Sequence, residues 1–252
     1  MSHSIAHRFG RAAASYDAHS APQRHAAQRL ADLIAAESLP AHPRVLEIGC
    51  GTGHLTVALA EALLRRAASA EFFCSDIAPA MVAACRARLP QPHYLVMDGE
   101  RPAVRGGFDI VCANLAAQWF HDLPGTLARL SELLAPGGLL AISTLGAESF
   151  GEWKSVHAAL GLRAGTLPFV TTTALRNAFP GGELVIDEEV FVDRADAALE
   201  LPRRLRAIGA TRPVPGHRPL TAGQLRRVLR ALGPAPTLSY QLLYGRFRKA
   251  TA

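Results

Sequence analysis

The chain has 252 residues, of which 49% are hydrophobic and 19% charged, with a formal net charge of +6. That length supports one sizeable core, and no uncharged apolar run approaches the roughly 20 residues that a membrane-spanning helix needs. The first residues lack the basic start and apolar block of a secretory signal; they are rich in Ala, Arg and Ser in the manner of a transit peptide, against which Asp17 and Asp32 weigh.

In chain order, residues 1–40 read as two helical stretches interrupted at Ser15-Tyr16-Asp17. The second stretch, Arg24 to Ala36, carries apolar Ala27, Leu30, Leu33 and Ile34. Such a leader is either a lid folded over a ligand or a packed helix. Next comes an apolar strand, Val45-Leu46-Glu47-Ile48, followed at once by Gly49-Cys50-Gly51-Thr52-Gly53. A helix is expected from His54 to Arg66, with Leu55, Ala58, Leu59, Ala62 and Leu63 on one face. Glycines without a Cβ let the backbone turn sharply and approach a ligand closely. A doubly wound α/β sheet binds nucleotide-like ligands at this place, outside the carboxyl end of a strand. The dinucleotide pattern G-x-G-x-x-G would need a third glycine where His54 stands, so it is incomplete. Pyrophosphate favours bare amides at a helix N-terminus, whereas the acidic Glu47 suits a ligand bearing positive charge.

A second strand, Ala70 to Ser75, ends at Asp76 and is followed by Ile77-Ala78-Pro79-Ala80-Met81. Asp76 is placed to accept from both hydroxyls of a ribose, or to cap the next helix, and Pro79 suits a first helical turn. His93 to Met97 reads as a third strand closed by Asp98-Gly99-Glu100, with Asp98 placed for an adenine amino group. Phe108 to Ala113 is a fourth strand with Asn114 at its mouth. Helix Leu127 to Leu134, turn Pro136-Gly137-Gly138 and strand Leu139 to Thr144 complete five strand–helix alternations, followed by a sixth strand at Glu183 to Val192 and a last one at Leu238 to Phe247. Between Leu201 and Leu232 lie eight arginines (203, 204, 206, 212, 218, 226, 227, 230) and no acidic residue. Against a net charge of +6, these eight leave the rest of the chain at −2. A cluster of this kind is a solvated helix face or a dock for an acidic partner. Aromatic residues do not interleave with it as they do in single-stranded RNA binders, so an acidic protein is preferred and no nucleic acid partner is expected. Cys50, Cys74, Cys85 and Cys112 show no C-x-x-C spacing and fit small core residues in a reducing cytosol, hence a cytoplasmic location. His3 and His7 stand four apart without a third ligand candidate, and no metal is expected.

The run Glu47 to Gly53, E-x-G-x-G-x-G, resembles the first motif of class I S-adenosylmethionine-dependent methyltransferases. A more specific likeness spans nearly the whole chain. Arg8-Phe9-Gly10-Arg11-Ala12-Ala13, Ser15-Tyr16-Asp17 and Gln23-Arg24 are similar to the leader of the malonyl-acyl-carrier-protein O-methyltransferases of biotin synthesis. So are Asn114 to Phe120, Ser143 to Gly146, Leu205 to Ala210, Pro213 to Thr221 and Leu243 to Arg246. His54 departs from the pattern, where an apolar or aromatic residue is expected.

The resemblance implies an α/β, Rossmann-like fold: a doubly wound seven-stranded sheet with an antiparallel last strand, in a single methyltransferase domain 1–252. Residues 1–40 would form a helical lid, 41–194 the cofactor-binding core, 195–235 a basic helical insertion, and 236–252 the last strand and tail. It implies S-adenosylmethionine as cofactor, held by Glu47, Gly49, Cys50, Gly51, Gly53, Asp76, Ile77, Met81, Asp98, Gly99, Glu100 and Asn114. Tyr16, Gln118, Trp119, Thr144 and Arg206 would meet the substrate, with Tyr16, Asn114 and Gln118 positioning it and Arg206 orienting its carboxylate. The implied partner is acyl carrier protein carrying a malonyl thioester, docked on the arginine-rich 201–232 region. A methyltransferase of a free small carboxylic acid such as aconitate, an RNA methyltransferase and a non-catalytic accessory protein of the same fold are the alternatives.

Overall fold

The computed structural model describes residues 2–210 and 213–251, so Arg212 of the basic cluster lies outside the described residues. Seven strands form one sheet in the order β3-β2-β1-β4-β5-β7-β6. They are β1 (Arg44–Ile48), β2 (Glu71–Asp76), β3 (His93–Val96), β4 (Phe108–Asn114), β5 (Leu134–Leu145), β6 (Glu183–Arg194) and β7 (Thr237–Arg248). β1 to β5 pair in parallel, and β7 lies antiparallel between β5 and β6. From β1 the chain builds outward through β2 to β3, then returns to place β4 on the other side of β1. Connections therefore leave β1 and β4 in opposite directions, which opens a crevice at their carboxyl ends.

Alternation along the strands sends successive side chains to opposite faces. Val45, Ile110, Cys112, Ala141, Leu242 and Tyr244 pack with α2 (Ala21–Ala35) and α3 (His54–Arg65) on one side. Leu46, Ile48, Val111, Ala113, Leu140, Ile142 and Leu243 pack with α5 (Leu123–Glu132) and α7 (Thr172–Ala178) on the other. All four cysteines are buried and free. α1 (Ser2–Tyr16) runs against α4 (Pro79–Arg88), and a 3-10 turn, Asp17–His19, separates α1 from α2. α6 (Gly151–Ala159) follows β5, and α8 (Glu200–Ala207) and α9 (Ala222–Leu232) fill the connection between β6 and β7. α9 begins at a capping box. Thr221 Oγ1 accepts from the Gln224 amide at 3.2 Å, and Gln224 Oε1 accepts from the Thr221 amide at 2.9 Å.

Two local expectations change. Pro136-Gly137-Gly138 is not a turn between elements, because extended backbone begins already at Leu134. The register jumps from Phe108↔Leu134 to Ile110↔Leu139, with Gly137 at φ +74°, so the glycines form a bulge inside β5. Helices α6 and α7 occupy residues that carried no expected element; both are short, at nine and seven residues, and their apolar spacing is too brief to register as a helical period.

Candidate active site

The glycine turn after β1 forms the floor of the crevice. Gly49 has φ +71°, and a Cβ on it would stand 2.8 Å from Ala116 Cβ, so only glycine fits between β1 and the β4 exit. Gly53, at φ +95°, is the N-cap of α3. Asp76 at the end of β2 accepts from the Gly51 amide at 3.0 Å and the Ala78 amide at 2.8 Å, which locks the turn to the neighbouring strand. Burial raises the Asp76 pKa, against the pull of those two amides. A carboxylate offers about four lone-pair sites, so acceptor capacity remains for a ligand.

Around this floor lies a cavity of about 110 Å³. Ile5, Phe9 and Tyr16 of α1 cover it, and Asp76, Ile77, Met81, Asp98, Gly99, Glu100 and Asn114 line it. A Cβ on Gly99 would sit 2.3 Å from Ile48 Cγ2, so the chain passes β1 there only as glycine. One oxygen of the Glu100 carboxylate, Oε1, accepts from the amides of His121 at 2.7 Å and Asp122 at 3.0 Å. Burial raises the Tyr16 phenol, with the Asp76 and Asp17 carboxylates adding to it, so its hydroxyl keeps its proton.

A smaller pocket beside the turn is lined by Tyr16, Gln23, Glu47, Cys50 and Asn114 among others. Glu47 is fully buried, and burial drives its pKa well above the ordinary carboxyl range. Its Oε2 accepts from Thr56 Oγ1 at 2.6 Å. Its Oε1 and the Oε1 of Gln23 are both buried without a hydrogen-bond partner among the described residues. Two orphan acceptors lining one pocket call for a ligand with several N–H donors, since an unmet buried acceptor costs roughly 1–3 kcal/mol. Asn114 fixes Gln23 there: its Nδ2 donates to the Gln23 carbonyl at 3.0 Å, and its Oδ1 accepts from Ser143 Oγ at 2.7 Å.

The first cavity shares a wall of Phe9, Tyr16, Leu115 and Trp119 with a second, of about 250 Å³. Phe150, Trp153, Phe169 and Tyr240 make it aromatic, and Pro202, Leu205 and Ile208 of the α8 segment close it. Leu115 at φ +46° and Phe150 at φ +64° both line it, and bulky residues held in left-handed backbone store strain of order 1–3 kcal/mol each. Gln118 Nε2 donates to the Leu115 carbonyl at 2.6 Å and holds that strained residue in place. Thr144 is fully buried and donates to Gln118 Oε1 at 3.4 Å, so it stands behind Gln118 and does not line the cavity. Arg206 is not among the lining residues either. It is exposed on α8, because the helix turns Pro202, Leu205 and Ile208 inward and Arg203 and Arg206 outward.

Sequence reasoning missed Ile5, Phe9 and Gln23 in the leader, and Phe150, Trp153, Phe169 and His217 around the second cavity. Ile5, Phe9, Ala12 and Tyr16 do share a helical stripe, but apolar spacing reads the same for a core face and a cavity wall. Among the described residues no three His, Cys, Asp or Glu side chains converge as a metal site requires. No helix among them is long and apolar enough to cross a membrane.

A sheet with one reversed strand next to its edge, and cavity-lining acids at the ends of β2 and β3 beside a glycine turn, is the architecture of a class I methyltransferase. Residues 22–235 match the methyltransferase domain family. The malonyl-[acyl-carrier protein] O-methyltransferase of Magnetococcus marinus is 39% identical over 250 residues, 96% of this chain and 91% of that protein. The biotin biosynthesis bifunctional protein BioCD of Bordetella avium is 49% identical over 98% of this chain, which spans about half (52%) of that relative's length. Among solved structures, the YcgJ protein of Bacillus subtilis superimposes with a TM-score of 0.62 at 14% identity, covering 89% of this chain and 99% of that one. The chain belongs to the malonyl-[acyl-carrier protein] O-methyltransferase family.

Proposed function

We propose that the protein transfers a methyl group from S-adenosylmethionine to the free carboxylate of a malonyl thioester on acyl carrier protein, in the cytoplasm, as an early step of biotin synthesis. The observation that carries this reading is the pair of adjacent cavities, one rimmed by acids at the strand ends and one aromatic, with Tyr16, Leu115 and Trp119 lining both. S-adenosylmethionine supplies an electrophilic methyl group on a sulfonium. Its ammonium matches the orphan Oε1 atoms of Glu47 and Gln23, and a cation there stabilises Glu47 as a carboxylate. Asp76 would take the ribose through its remaining lone pairs, and Asp98 with Gly99 the adenine.

A malonyl carboxyl ionises well below pH 7, near the reference range of about 3.5 to 4. It therefore arrives as the anion, and the chain needs no general base. The residues have two tasks, to orient and to exclude water. Orientation alone can lower a barrier by several kcal/mol. Phe9 and Tyr16 of α1, with Trp119, shield the junction, so residues 1–40 act as the lid of a single methyltransferase domain. Exposed arginines of α8 and α9, and Arg218 between them, form the surface for the acidic carrier protein, with Arg203, Arg206, Arg226, Arg227 and Arg230 on the two helices. Arg204 is not among them, since it pairs with Asp193 at 2.7 Å and Glu200 at 2.8 Å.

Incubation with methyl-labelled cofactor and malonyl-acyl carrier protein tests this reading. A base-labile methyl ester on the carrier protein is expected, with cofactor affinity lowered at least about tenfold by Asp76→Ala through loss of a charge-assisted hydrogen bond. Equal turnover on free malonate, or label in RNA alone, would replace it.

A further inference from the structure

Resting on the malonyl reading above, we propose that His217 is the residue that grips and orients the acceptor's free carboxylate. The second cavity is walled by aromatic and aliphatic side chains, where an anion without a donor is strongly disfavoured. Among the described residues that line it, His217 is the one His, Lys or Arg side chain. Of the neutral nitrogen donors on this wall, Trp153 Nε1 donates to the Ala164 carbonyl at 3.2 Å and Gln118 Nε2 to Leu115, while Gln23 and Trp119 stand on the sides shared with the small pocket and the first cavity. The Nδ1 of His217 is buried and has no hydrogen-bond partner among the described residues.

The loop is shaped around this ring. The His217 amide donates to the Val214 carbonyl at 3.1 Å, and the Val214 amide to the Gly165 carbonyl at 3.2 Å. Gly165 has φ +72°, and a Cβ on it would stand 2.7 Å from two ring atoms, so the ring lies directly on glycine backbone. Arg206, the sequence-level candidate for this task, is exposed on the outer side of α8. The chemistry also favours imidazole over guanidinium. A forked guanidinium engages both carboxylate oxygens and weakens the nucleophile it holds. One imidazole N–H engages a single oxygen and leaves the other free to accept the methyl group.

The test compares malonyl-acyl carrier protein as substrate with isovaleryl-acyl carrier protein as competitive inhibitor, whose branched end copies the carboxylate's shape without its charge. In His217→Leu the KM for the malonyl substrate is expected to rise at least about tenfold, the loss of a hydrogen bond to a charged group, while the inhibition constant of the isovaleryl form stays within about twofold. His217→Gln, which keeps an N–H donor, should recover part of the loss, and Arg206→Ala should leave the malonyl-to-isovaleryl ratio unchanged. Affinity for S-adenosylhomocysteine, measured on each variant, reports that the fold stands; if the Leu variant does not fold, the same ratio is read from His217→Asn against His217→Gln. Equal weakening of both thioesters in the Leu variant, or an unchanged ratio in all His217 variants, overturns the inference alone. Absence of wild-type turnover on malonyl-acyl carrier protein overturns the proposed function and takes this inference with it.

Discussion

At His54 the chain places an imidazole where the family-like pattern predicts an apolar or aromatic residue. The ring is almost buried. Its Nε2 lies 2.8 Å from Ser20 Oγ and 3.5 Å from Asp17, and Arg88 reaches its Nδ1 at 3.3 Å. Asp17 also accepts from Thr52 Oγ1 at 2.6 Å and pairs with Arg88, so the group ties the end of α1 to the glycine turn. Burial lowers the His54 pKa from 6.5 to about 4, outweighing the opposing pull of Asp17. Above pH 6.5 neither folded nor unfolded chain binds that proton, and the contribution is intact. As pH falls from 6.5 toward 4 the unfolded chain protonates first, and stability declines by on the order of 3 kcal/mol before levelling off. Urea titrations across that window should show a flatter slope for His54→Gln than for the wild type. Parallel slopes would mean that other groups govern the acid response.

Among the elements, α2 is fastened near both of its ends, and one of them meets the site. Near its start, Asn114 holds the Gln23 carbonyl, which sets the Gln23 side chain in the small pocket. Just past its end, Glu37 bonds Arg246, which also donates to Asp187 at 2.8 Å, and accepts from Arg248 at 2.7 Å. The helix is thereby fastened to β6 and β7 at the far edge of the sheet. Burial alone would raise the Glu37 pKa, but hydrogen bonds from Arg248 and Arg246 outweigh it and hold the carboxyl below its ordinary value of 4.5. This contribution is present above pH 4.5 and is lost as pH falls through the lower folded value. Glu37→Gln should cost about 1–3 kcal/mol in chemical denaturation at pH 7, because it strips two part-buried arginines of their shared anion. Cofactor affinity should stay within about twofold, since Asn114 independently fixes the cofactor end of α2. A large drop in affinity without loss of stability would refute that division of labour.

For the whole molecule, charge and cavities are arranged around the α8–α9 segment. Its inward residues, Pro202, Leu205 and Ile208, close the second cavity, and its outward arginines face solvent. One segment thus offers a wall to the acyl group and a field to the acidic carrier. Exposed charges act over about 8–10 Å at physiological salt, so their effect belongs to encounter and not to methyl transfer. Reversing Arg226, Arg227 and Arg230 to Glu should raise KM for malonyl-acyl carrier protein several-fold at low salt, with kcat unchanged. The same variant should match the wild type on malonyl-pantetheine, and added salt should narrow the gap on the carrier substrate. An unchanged KM at low salt would place the dock elsewhere.

The strand–glycine–helix unit at 45–65 and the acids ending β2 and β3 were legible in the residues alone, because period, turn chemistry and strand-end placement are local properties. Gly49 and Gly53 belong there too, each filling a position where positive φ demands glycine. Tertiary structure decided what local pattern cannot encode. It showed which helical stripe faces a cavity and which a core, as for Ile5, Phe9 and Tyr16. It turned Arg206 outward and His217 inward, although both sit in family-like segments. It also paired the orphan oxygens of Glu47 and Gln23, 24 positions apart in the sequence, in a single pocket. Side-chain direction and the meeting of distant residues are set by packing, and packing exists only once the sheet is assembled.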